Sequence, residues 1–343
     1  MKASVKPIAA LCAALLLAGT LLSGCSDGTE TSSAASVPST SSQAEKTKVN
    51  VYGLKGPTGI GLVNLWKAGE DGTALNDYKV EALASPDDAV AKISNKEADI
   101  AAIPTNLAAT LYQKTGGTIQ VLAVNTLGVL HIVENGDTIQ KVSDLKGKTI
   151  YSTGQGSNPE YVLNYVLREN GLDPEKDVTV KFVTENDELA TKLATGEAEI
   201  AMVPEPVVTT TLSKNADLRV ALDMTKEWEA VAGDKSALMM GCVVGRKEFI
   251  EQNPQAVKDF LTEYKASVEK ALDDIDGTAA LCETYGIIPK AAVAKQAIPR
   301  CNLTYVDGAD MKEQLGGYLQ VLFDADPKSV GGTMPDDNFY YLG

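Results

Sequence analysis

An internal repeat constrains the fold of this chain more than any other feature of its sequence. Residues 93–104 read Ile-Ser-Asn-Lys-Glu-Ala-Asp-Ile-Ala-Ala-Ile-Pro, and residues 193–204 read Leu-Ala-Thr-Gly-Glu-Ala-Glu-Ile-Ala-Met-Val-Pro. In each copy a helical pattern ends, an Asn or Gly turns the chain, and a short apolar run stops at a proline. This pattern predicts a helix, a tight turn, a buried parallel strand and then a loop.

The loop after each proline is predicted to leave the carboxyl edge of a sheet, which is where open α/β sheets bind ligands. Two such edges in one chain predict an α/β protein with two similar lobes that face each other across a cleft. The alternative is a chance match within one large α/β domain. The residues after position 47 are numerous enough for two domains of ordinary size.

The amino terminus has the pattern of a secretory signal peptide over residues 1–24. Lys2 and Lys6 precede an apolar run from Ile8 to Leu22, which is too short for a confident membrane span. Residues 25–47 are rich in Ser, Thr and Ala and contain almost no large apolar side chain, so we expect a flexible tether. The folded part is then predicted to comprise lobe 1 at 48–136 and 238–343, and lobe 2 at 137–237.

The charge of the chain argues against two classes of partner. The signal peptide contains two lysines and no acids, so the remaining chain has 29 basic and 46 acidic residues and a formal charge of −17. The acidic excess is spread along the sequence and is typical of a solvated surface. Nucleic acid and anionic lipid are therefore not expected as partners.

The cysteines after the amino-terminal segments are Cys242, Cys282 and Cys301. Cys242 lies in an apolar run and is expected in the core. Cys282 and Cys301 flank a helix-turn-helix pattern, and outside the cytoplasm they are predicted to form a disulfide, with two free thiols as the alternative. No Cys or His cluster has metal-ligand spacing, so neither a metal nor a cofactor is expected, and the single histidine, His131, is expected to be structural.

Two glycine-containing loops are predicted to begin helices at the cleft. Gly56-Pro57-Thr58-Gly59 follows a short strand, and Thr153-Gly-Gln-Gly-Ser-Asn158 follows another strand in the second half. The free N–H groups at the amino end of a helix suit an anion or a ligand oxygen.

The position after each repeat proline is predicted to give the two lobes different walls. Thr105 and Asn106 follow the first copy, whereas Glu205 follows the second copy between two prolines. A carboxylate at that position favours a ligand that carries a donor or a cation, so a zwitterion or an amino-heterocycle would fit best, and nitrate would fit poorly.

The order of these motifs resembles the extracytoplasmic solute-binding lipoproteins of bacterial ABC importers, of the nitrate, sulfonate, taurine and thiamine-pyrimidine-precursor type. The segments that carry the resemblance are Leu22-Ser-Gly-Cys25, Ala98-Asp-Ile-Ala101, Asp144-Leu-Lys-Gly-Lys148, Glu199-Ile-Ala-Met-Val-Pro-Glu-Pro206 and Glu248-Phe-Ile-Glu-Gln-Asn-Pro254.

The resemblance implies a type II periplasmic-binding-protein fold with two parallel-dominated sheets and with a ligand cleft and a hinge between the lobes. It also implies a lipid on Cys25 that anchors the chain to the cell membrane, and a monomer in which one small ligand is trapped between the lobes. The ligand would pass to a membrane permease driven by an ATPase. The cleft positions that it implies are Gly56, Pro57, Thr58, Gly59, Thr105, Asn106, Thr126, Thr153, Gly154, Gln155, Gly156, Ser157, Asn158 and Glu205.

Two other functions remain alternatives at this point. One is a receptor that presents its ligand to a membrane sensor. The other is an enzyme similar to the thiamine-pyrimidine synthases of the same fold family. The enzymes use histidines and cysteine-rich sites, whereas this chain has one histidine and no clustered cysteines. No catalytic residue is therefore expected.

Overall fold

The computed structural model describes residues 45–233 and 236–343. The predicted signal peptide, Cys25 and nearly all of the predicted tether lie outside these ranges. Eleven strands are found in the described residues, each four to eight residues long: β1 (Lys48–Leu54), β2 (Asp77–Leu83), β3 (Ile100–Pro104), β4 (Ile119–Thr126), β5 (Leu130–Asn135), β6 (Thr149–Ser152), β7 (Thr179–Phe182), β8 (Ile200–Pro204), β9 (Leu218–Asp223), β10 (Gly241–Arg246) and β11 (Leu303–Val306).

Thirteen α-helices of the described residues accompany these strands: α1 (Pro57–Ile60), α2 (Val63–Glu70), α3 (Pro86–Ser94), α4 (Thr105–Thr115), α5 (Asn158–Glu169), α6 (Asn186–Thr195), α7 (Val207–Lys214), α8 (Met224–Ala232), α9 (Lys247–Gln252), α10 (Pro254–Asp273), α11 (Ile275–Thr284), α12 (Ala291–Ala297) and α13 (Gly308–Ala325). Short 3₁₀ turns follow at Val142–Leu145, Ile298–Arg300, Pro327–Val330 and Asp337–Phe339.

The strands form two sheets that share one topology. The first lobe has the order β11-β4-β10-β3-β1-β2, and the second lobe, read from its other edge, has the order β9-β5-β8-β6-β7. β10 runs antiparallel between β3 and β4, and β5 runs antiparallel between β8 and β9. Both sheets are therefore mixed, and the two-lobed α/β fold predicted from the sequence is confirmed.

The two antiparallel strands are exchanged between the lobes. The chain leaves β4 in the first sheet and enters β5 in the second, and it leaves β9 in the second sheet and returns through β10 to the first. Residues 127–129 form the first crossing, and residues 236–240 are the described part of the second. The lobe boundary predicted at 137 is thus one strand too late, because an apolar run reveals a buried strand without revealing which sheet it joins.

The repeat has the structure that its sequence predicts. Ser85 caps α3 by accepting a hydrogen bond of 3.2 Å from the Asp88 N–H, and Pro86 occupies the first turn. β3 and β8 follow the two equivalent helices α3 and α6, and four of the five residues in each strand are buried. Their unbroken apolar sequence reflects the helices that cover both faces of each sheet.

One hydrophobic cluster spans both lobes around the crossings. It contains Ile103 and Tyr318 of the first lobe together with Met202 and Trp228 of the second. The Trp228 ring lies 5.4 Å from that of Tyr318 on α13, centroid to centroid. The carboxyl-terminal helix therefore packs on both lobes, whereas the sequence predicted that it packs on the first alone.

The predicted disulfide is wrong. Cys282 and Cys301 are free, fully buried thiols within a second hydrophobic cluster. Both side chains act as small apolar core residues, a role that the sequence assigned only to Cys242. Burial raises the pKa of Cys282 to about 12, so this thiol is unreactive in the folded protein.

Candidate functional site

A cleft of about 720 Å³ lies between the two sheets. Its walls are the loops that follow parallel strands of both lobes, as expected for the carboxyl edges of α/β sheets. Nine of the residues predicted from the sequence line it: Pro57, Thr58, Thr126, Thr153, Gly154, Gln155, Gly156, Ser157 and Asn158. The other five, Gly56, Gly59, Thr105, Asn106 and Glu205, do not.

In the first lobe, Pro57 and Thr58 reach the cleft at the start of α1. The neighbouring glycines lie behind them: the Gly56 N–H donates to the Ile287 carbonyl at 3.0 Å, and Gly59 is buried. The Thr58 carbonyl accepts a hydrogen bond of 3.2 Å from the side chain of Asn125, beside Thr126 at the end of β4. The glycines thus shape the loop without forming the wall.

In the second lobe, residues 153–158 wrap around the amino end of α5. Gly154 has φ of 77°, and a side chain there would lie 2.7 Å from the Pro159 ring, so the turn requires glycine. The Gly156 N–H donates to the Glu160 carboxylate at 2.6 Å, which closes the loop onto its own helix. Ser157 precedes the helix without capping it through its side chain, so its hydroxyl is not committed to the helix.

Asn158 reaches the cleft surface but is held by the first lobe. Its side-chain amide donates to Oγ1 of Thr105 at 3.2 Å and to the Met240 carbonyl at 2.7 Å, and its Oδ1 accepts from the Tyr318 hydroxyl at 3.1 Å. Its backbone N–H donates to Oδ1 of Asn106 at 3.1 Å. Asn158 is fully buried, and its amide hydrogen bonds already serve to join the lobes.

Thr105 and Asn106 lie beneath the cleft floor. Thr105 binds the second crossing through both its backbone N–H, which donates to Met240, and its hydroxyl, which donates to Met239. The Asn106 amide donates to the Ser329 carbonyl at 3.3 Å. The ligand contacts expected for these two residues are therefore not supported, because the residue after the proline turns back towards the crossing strand beside β3.

Glu205, the predicted polar anchor, also lies away from the cleft wall. Its side chain is 1% exposed, and Oε2 accepts a hydrogen bond of 3.1 Å from the Thr209 N–H at the start of α7. The carboxylate therefore bonds to its own helix, a common arrangement for an acid at a helix amino end. The argument for an amine-bearing ligand, which depended on this residue, loses its support.

The sequence reasoning missed two cleft segments, 84–87 and 182–186. They follow β2 and β7, the outer parallel strands of the two sheets. Ligands bind at the carboxyl edge of such sheets, and this rule holds for every parallel strand. We applied it only to the repeat and the glycine loops; its use for β2 and β7 would have predicted both segments. α4 contributes Leu107 and Thr110 one turn beyond the predicted pair, and the second crossing contributes Met240.

The cleft combines neutral polar groups with apolar surface. Hydroxyls come from Thr58, Thr126 and Ser157, and apolar surface comes from Leu130 and Phe182 among others. The charged residues that line the cleft in the described ranges are all exposed: Lys114, Lys328, Asp87 and Glu185.

Tyr161 adds a phenol to this wall. Burial raises its pKa, so the group is a neutral donor at physiological pH. In residues 45–233 and 236–343, no three His, Cys, Asp or Glu side chains are placed to hold a metal ion.

His131, at the start of β5, is packed among charged groups behind the cleft. Burial lowers its pKa, although the Asp223 and Glu205 carboxylates oppose the shift. Asp223 lies opposite it on β9, a partner that the sequence did not reveal. The imidazole does not line the cleft.

Residues 73–284 match the sequence model of the family described as the phosphonate periplasmic substrate-binding proteins of ABC transporters. The match covers more than half of the chain. The chain belongs to this family. It is the substrate-binding component of an ABC import system, and the importer family expected from the sequence is confirmed. No curated protein matches the sequence.

Solved structures agree with this assignment at the level of the fold. An ABC transporter protein of Parabacteroides distasonis is 26% identical, with 86% of this chain and 99% of that chain covered at a TM-score of 0.71. The periplasmic aliphatic sulphonate binding protein of Escherichia coli is 15% identical, with 87% and 92% covered and a TM-score of 0.67. The periplasmic nitrate-binding protein of Synechocystis is 15% identical, with 79% and 76% covered and a TM-score of 0.56.

The family is one of periplasmic substrate-binding proteins. Among the helices of the described residues, none has both the length and the apolar composition of a membrane span.

Proposed function

We propose that the cleft binds an organic molecule with an oxyanion group, of the phosphonate or sulfonate class, and that lobe closure traps it for delivery to a permease driven by an ATPase. The observation that carries this proposal is the convergence of uncharged donors from both lobes on one cleft. Thr58 and Thr126 of the first lobe and Ser157 and Tyr161 of the second are hydroxyl-bearing residues that line it.

Uncharged donors suit an anion that must be released again. Hydroxyls and helix amino ends stabilise a negative charge without an opposite full charge in direct contact. The cations of the cleft wall, Lys114 and Lys328, are exposed and equal in number to the exposed acids Asp87 and Glu185, so these four charges sum to zero and do not repel an anion.

The size of the cleft favours an organic ligand over a simple inorganic anion. Its volume of about 720 Å³ is within the range of sites for small organic molecules, roughly 300–1,000 Å³. Apolar residues such as Leu130 and Phe182 line the cleft alongside the hydroxyls. An alkyl or aryl group would bury that surface, whereas nitrate would leave it wet.

A titration of the purified protein against a small panel tests this proposal. The panel comprises methylphosphonate, butanesulfonate, nitrate, inorganic phosphate and an aminopyrimidine, with thermal stability as the readout. A ligand at 100 times its dissociation constant should add about 2.7 kcal/mol to the free energy of unfolding. Strongest stabilisation by the aminopyrimidine or by nitrate would contradict the proposal.

Paired variants then test the site. Thr58→Val removes a cleft hydroxyl and should weaken binding by roughly the 1.5–3 kcal/mol of a hydrogen bond to a charged group. Thr262→Val is the matched control, since this exposed hydroxyl on α10 donates only to the Lys258 carbonyl of its own helix. Equal affinity in both variants would exclude Thr58 from the site.

We further propose that Cys25 carries the lipid that anchors the mature chain, that the protein acts as a monomer, and that the ligand leaves it chemically unchanged. Cys25→Ser should move the protein from the membrane to the soluble fraction. Recovery of altered ligand after incubation would contradict the third point.

A further inference from the structure

The two copies of the repeat hold the two crossings in equivalent ways. The Thr105 N–H, after the first repeat proline, donates to the Met240 carbonyl of the second crossing at 3.2 Å. The Glu205 N–H, after the second proline, donates to the Val129 carbonyl of the first crossing at 3.0 Å. Each residue therefore fastens its own lobe to a segment through which that lobe is joined to the other.

The side chains at these equivalent positions differ. The Thr105 hydroxyl is neutral and satisfied, because it donates to the same crossing and accepts from Asn158. Glu205 instead places a carboxylate in a fully buried position, where an ionised group needs hydrogen bonds or an opposite charge. One oxygen, Oε2, is satisfied by the Thr209 N–H.

The other oxygen of Glu205 faces the opposite lobe. Oε1 is buried without a hydrogen-bond partner in the described residues and lies 3.8 Å from Nη1 of Arg300. Arg300 ends the 3₁₀ turn that leads to β11 of the first lobe, and the preceding helix α12 packs against α7 of the second. This ion pair therefore joins the lobes beside the first crossing.

The surroundings of the pair explain why its partner matters. Nδ1 of His131 and Oγ1 of Thr209 are likewise buried without partners in the described part of the chain. The charged groups near the imidazole are Asp223, Glu205, Arg300 and Lys226. Only the Glu205 side of this pair is buried, so loss of Arg300 leaves a buried carboxylate without its opposite charge, which is more costly than loss of a pair whose members are both exposed.

We propose that Glu205 is a positioning residue of the hinge, which acts through Arg300 to set how easily the two lobes separate. This inference rests on the proposed capture of a ligand between the lobes, but it concerns the ligand-free protein. If Arg300 is lost, Oε2 of Glu205 keeps its hydrogen bond from the Thr209 N–H, but the buried Oε1 gains a partner only when water reaches it. Water reaches it when the start of α7 moves away from the Ile298–Arg300 turn.

Hydrogen–deuterium exchange of the full chain without ligand tests the proposal. Arg300→Met is the main variant because the Arg300 side chain is 57% exposed, so its replacement buries no new polar group. Lys295→Met is the matched control: Lys295 lies on the adjacent α12 and pairs with Asp276 of the same lobe at 2.7 Å. Arg300→Lys tests rescue by a residue that retains the charge.

The expected result is local. Amides of residues 127–131 and 205–211 should exchange about fivefold faster in Arg300→Met, the factor at the low end of typical coupling energies. They should exchange at the parental rate in Lys295→Met and near it in Arg300→Lys. Small-angle scattering of the same samples should show a larger radius of gyration for Arg300→Met only.

Two results of the exchange experiment on the single variants would overturn the proposal. One is equal exchange at both segments in Arg300→Met and Lys295→Met. The other is faster exchange spread evenly over β1, β3 and β10, which would mark a loss of global stability instead of a looser hinge. In Glu205→Gln, which removes the charge that Arg300 compensates, adding Arg300→Met should have little further effect; full additivity would also contradict the inference.

No ligand is present in these measurements. A failure of the hinge proposal would therefore leave the phosphonate or sulfonate assignment standing, and a failed ligand titration would leave the exchange result interpretable.

Discussion

Replacement of Asn158 by alanine should destabilise the protein more than any replacement on the cleft surface. The side chain of Asn158 makes three buried hydrogen bonds, to Thr105, Met240 and Tyr318, and all three partners lie in the first lobe or the second crossing. The Met240 carbonyl keeps its bond from the Thr105 N–H after the change. The Tyr318 hydroxyl, which is fully buried, loses the one hydrogen-bond partner that it has in the described part of the chain.

The magnitude follows from this inventory. An unsatisfied buried hydroxyl costs about 1–3 kcal/mol, and each of the other two lost bonds contributes about 1 kcal/mol or less. We therefore expect Asn158→Ala to lower the free energy of unfolding by about 3 kcal/mol. Urea denaturation followed by circular dichroism measures this as a shift in midpoint at constant slope.

Two further variants make the experiment specific. Asn170→Ala removes an amide from the exposed end of the same helix, where it donates only to the Val166 carbonyl, and should cost less than about 1 kcal/mol. Tyr318→Phe removes the hydroxyl that Asn158→Ala leaves unpaired, so the double variant should be more stable than the sum of the two single effects. A cost below that of Asn170→Ala would refute the role of Asn158 as a link between lobes.

Three other perturbations give results that the structure specifies. Gly241→Ala should lower the free energy of unfolding, measured by urea denaturation, by roughly 1–3 kcal/mol. The new methyl carbon would lie 2.6 Å from Oδ1 of Asn125 and closer still to the Thr58 side chain. Parental stability would contradict this packing. Thiol titration of the unfolded, unreduced 45–343 segment should find three reactive cysteines, and a count of one would restore the disulfide. Burial opposes ionisation of Glu134, but hydrogen bonds from Thr138 and Ile139 and the charge of Arg219 hold its pKa below the usual value. Near pH 4 the unfolded state therefore binds more protons than the folded state. The stability of the protein should then fall as the pH drops through the folded-state pKa of Glu134. Glu134→Gln should flatten that acid limb, and an unchanged pH profile would refute the assignment.

The sequence was a good guide to local structure because local structure depends on neighbouring residues. The repeat predicted β3 and β8 with their helices, and the glycine-rich segment at 153–158 predicted a cleft loop. These features follow from side-chain periodicity and from turn residues, both of which act over a few positions.

The failures concerned which partners a side chain or a strand finds in the folded chain. Glu205 looked like a ligand contact because it follows a carboxyl edge, yet the helix that begins at Val207 offers it a nearer donor, the Thr209 N–H. β5 joins the second sheet by pairing with β8 and β9, two strands that occur much later in the chain. The sequence alone shows neither which donor a carboxylate will bind nor which strands a given strand will pair with.

A crystal structure of the protein with the panel member that binds best tests the central claim most directly. We expect the ligand between the sheets, with its oxyanion within hydrogen-bond distance of Thr58 from one lobe and Ser157 from the other, and with Glu205 still bonded to the Thr209 N–H. A ligand that contacts one lobe only, or one held by the Glu205 carboxylate, would contradict the account.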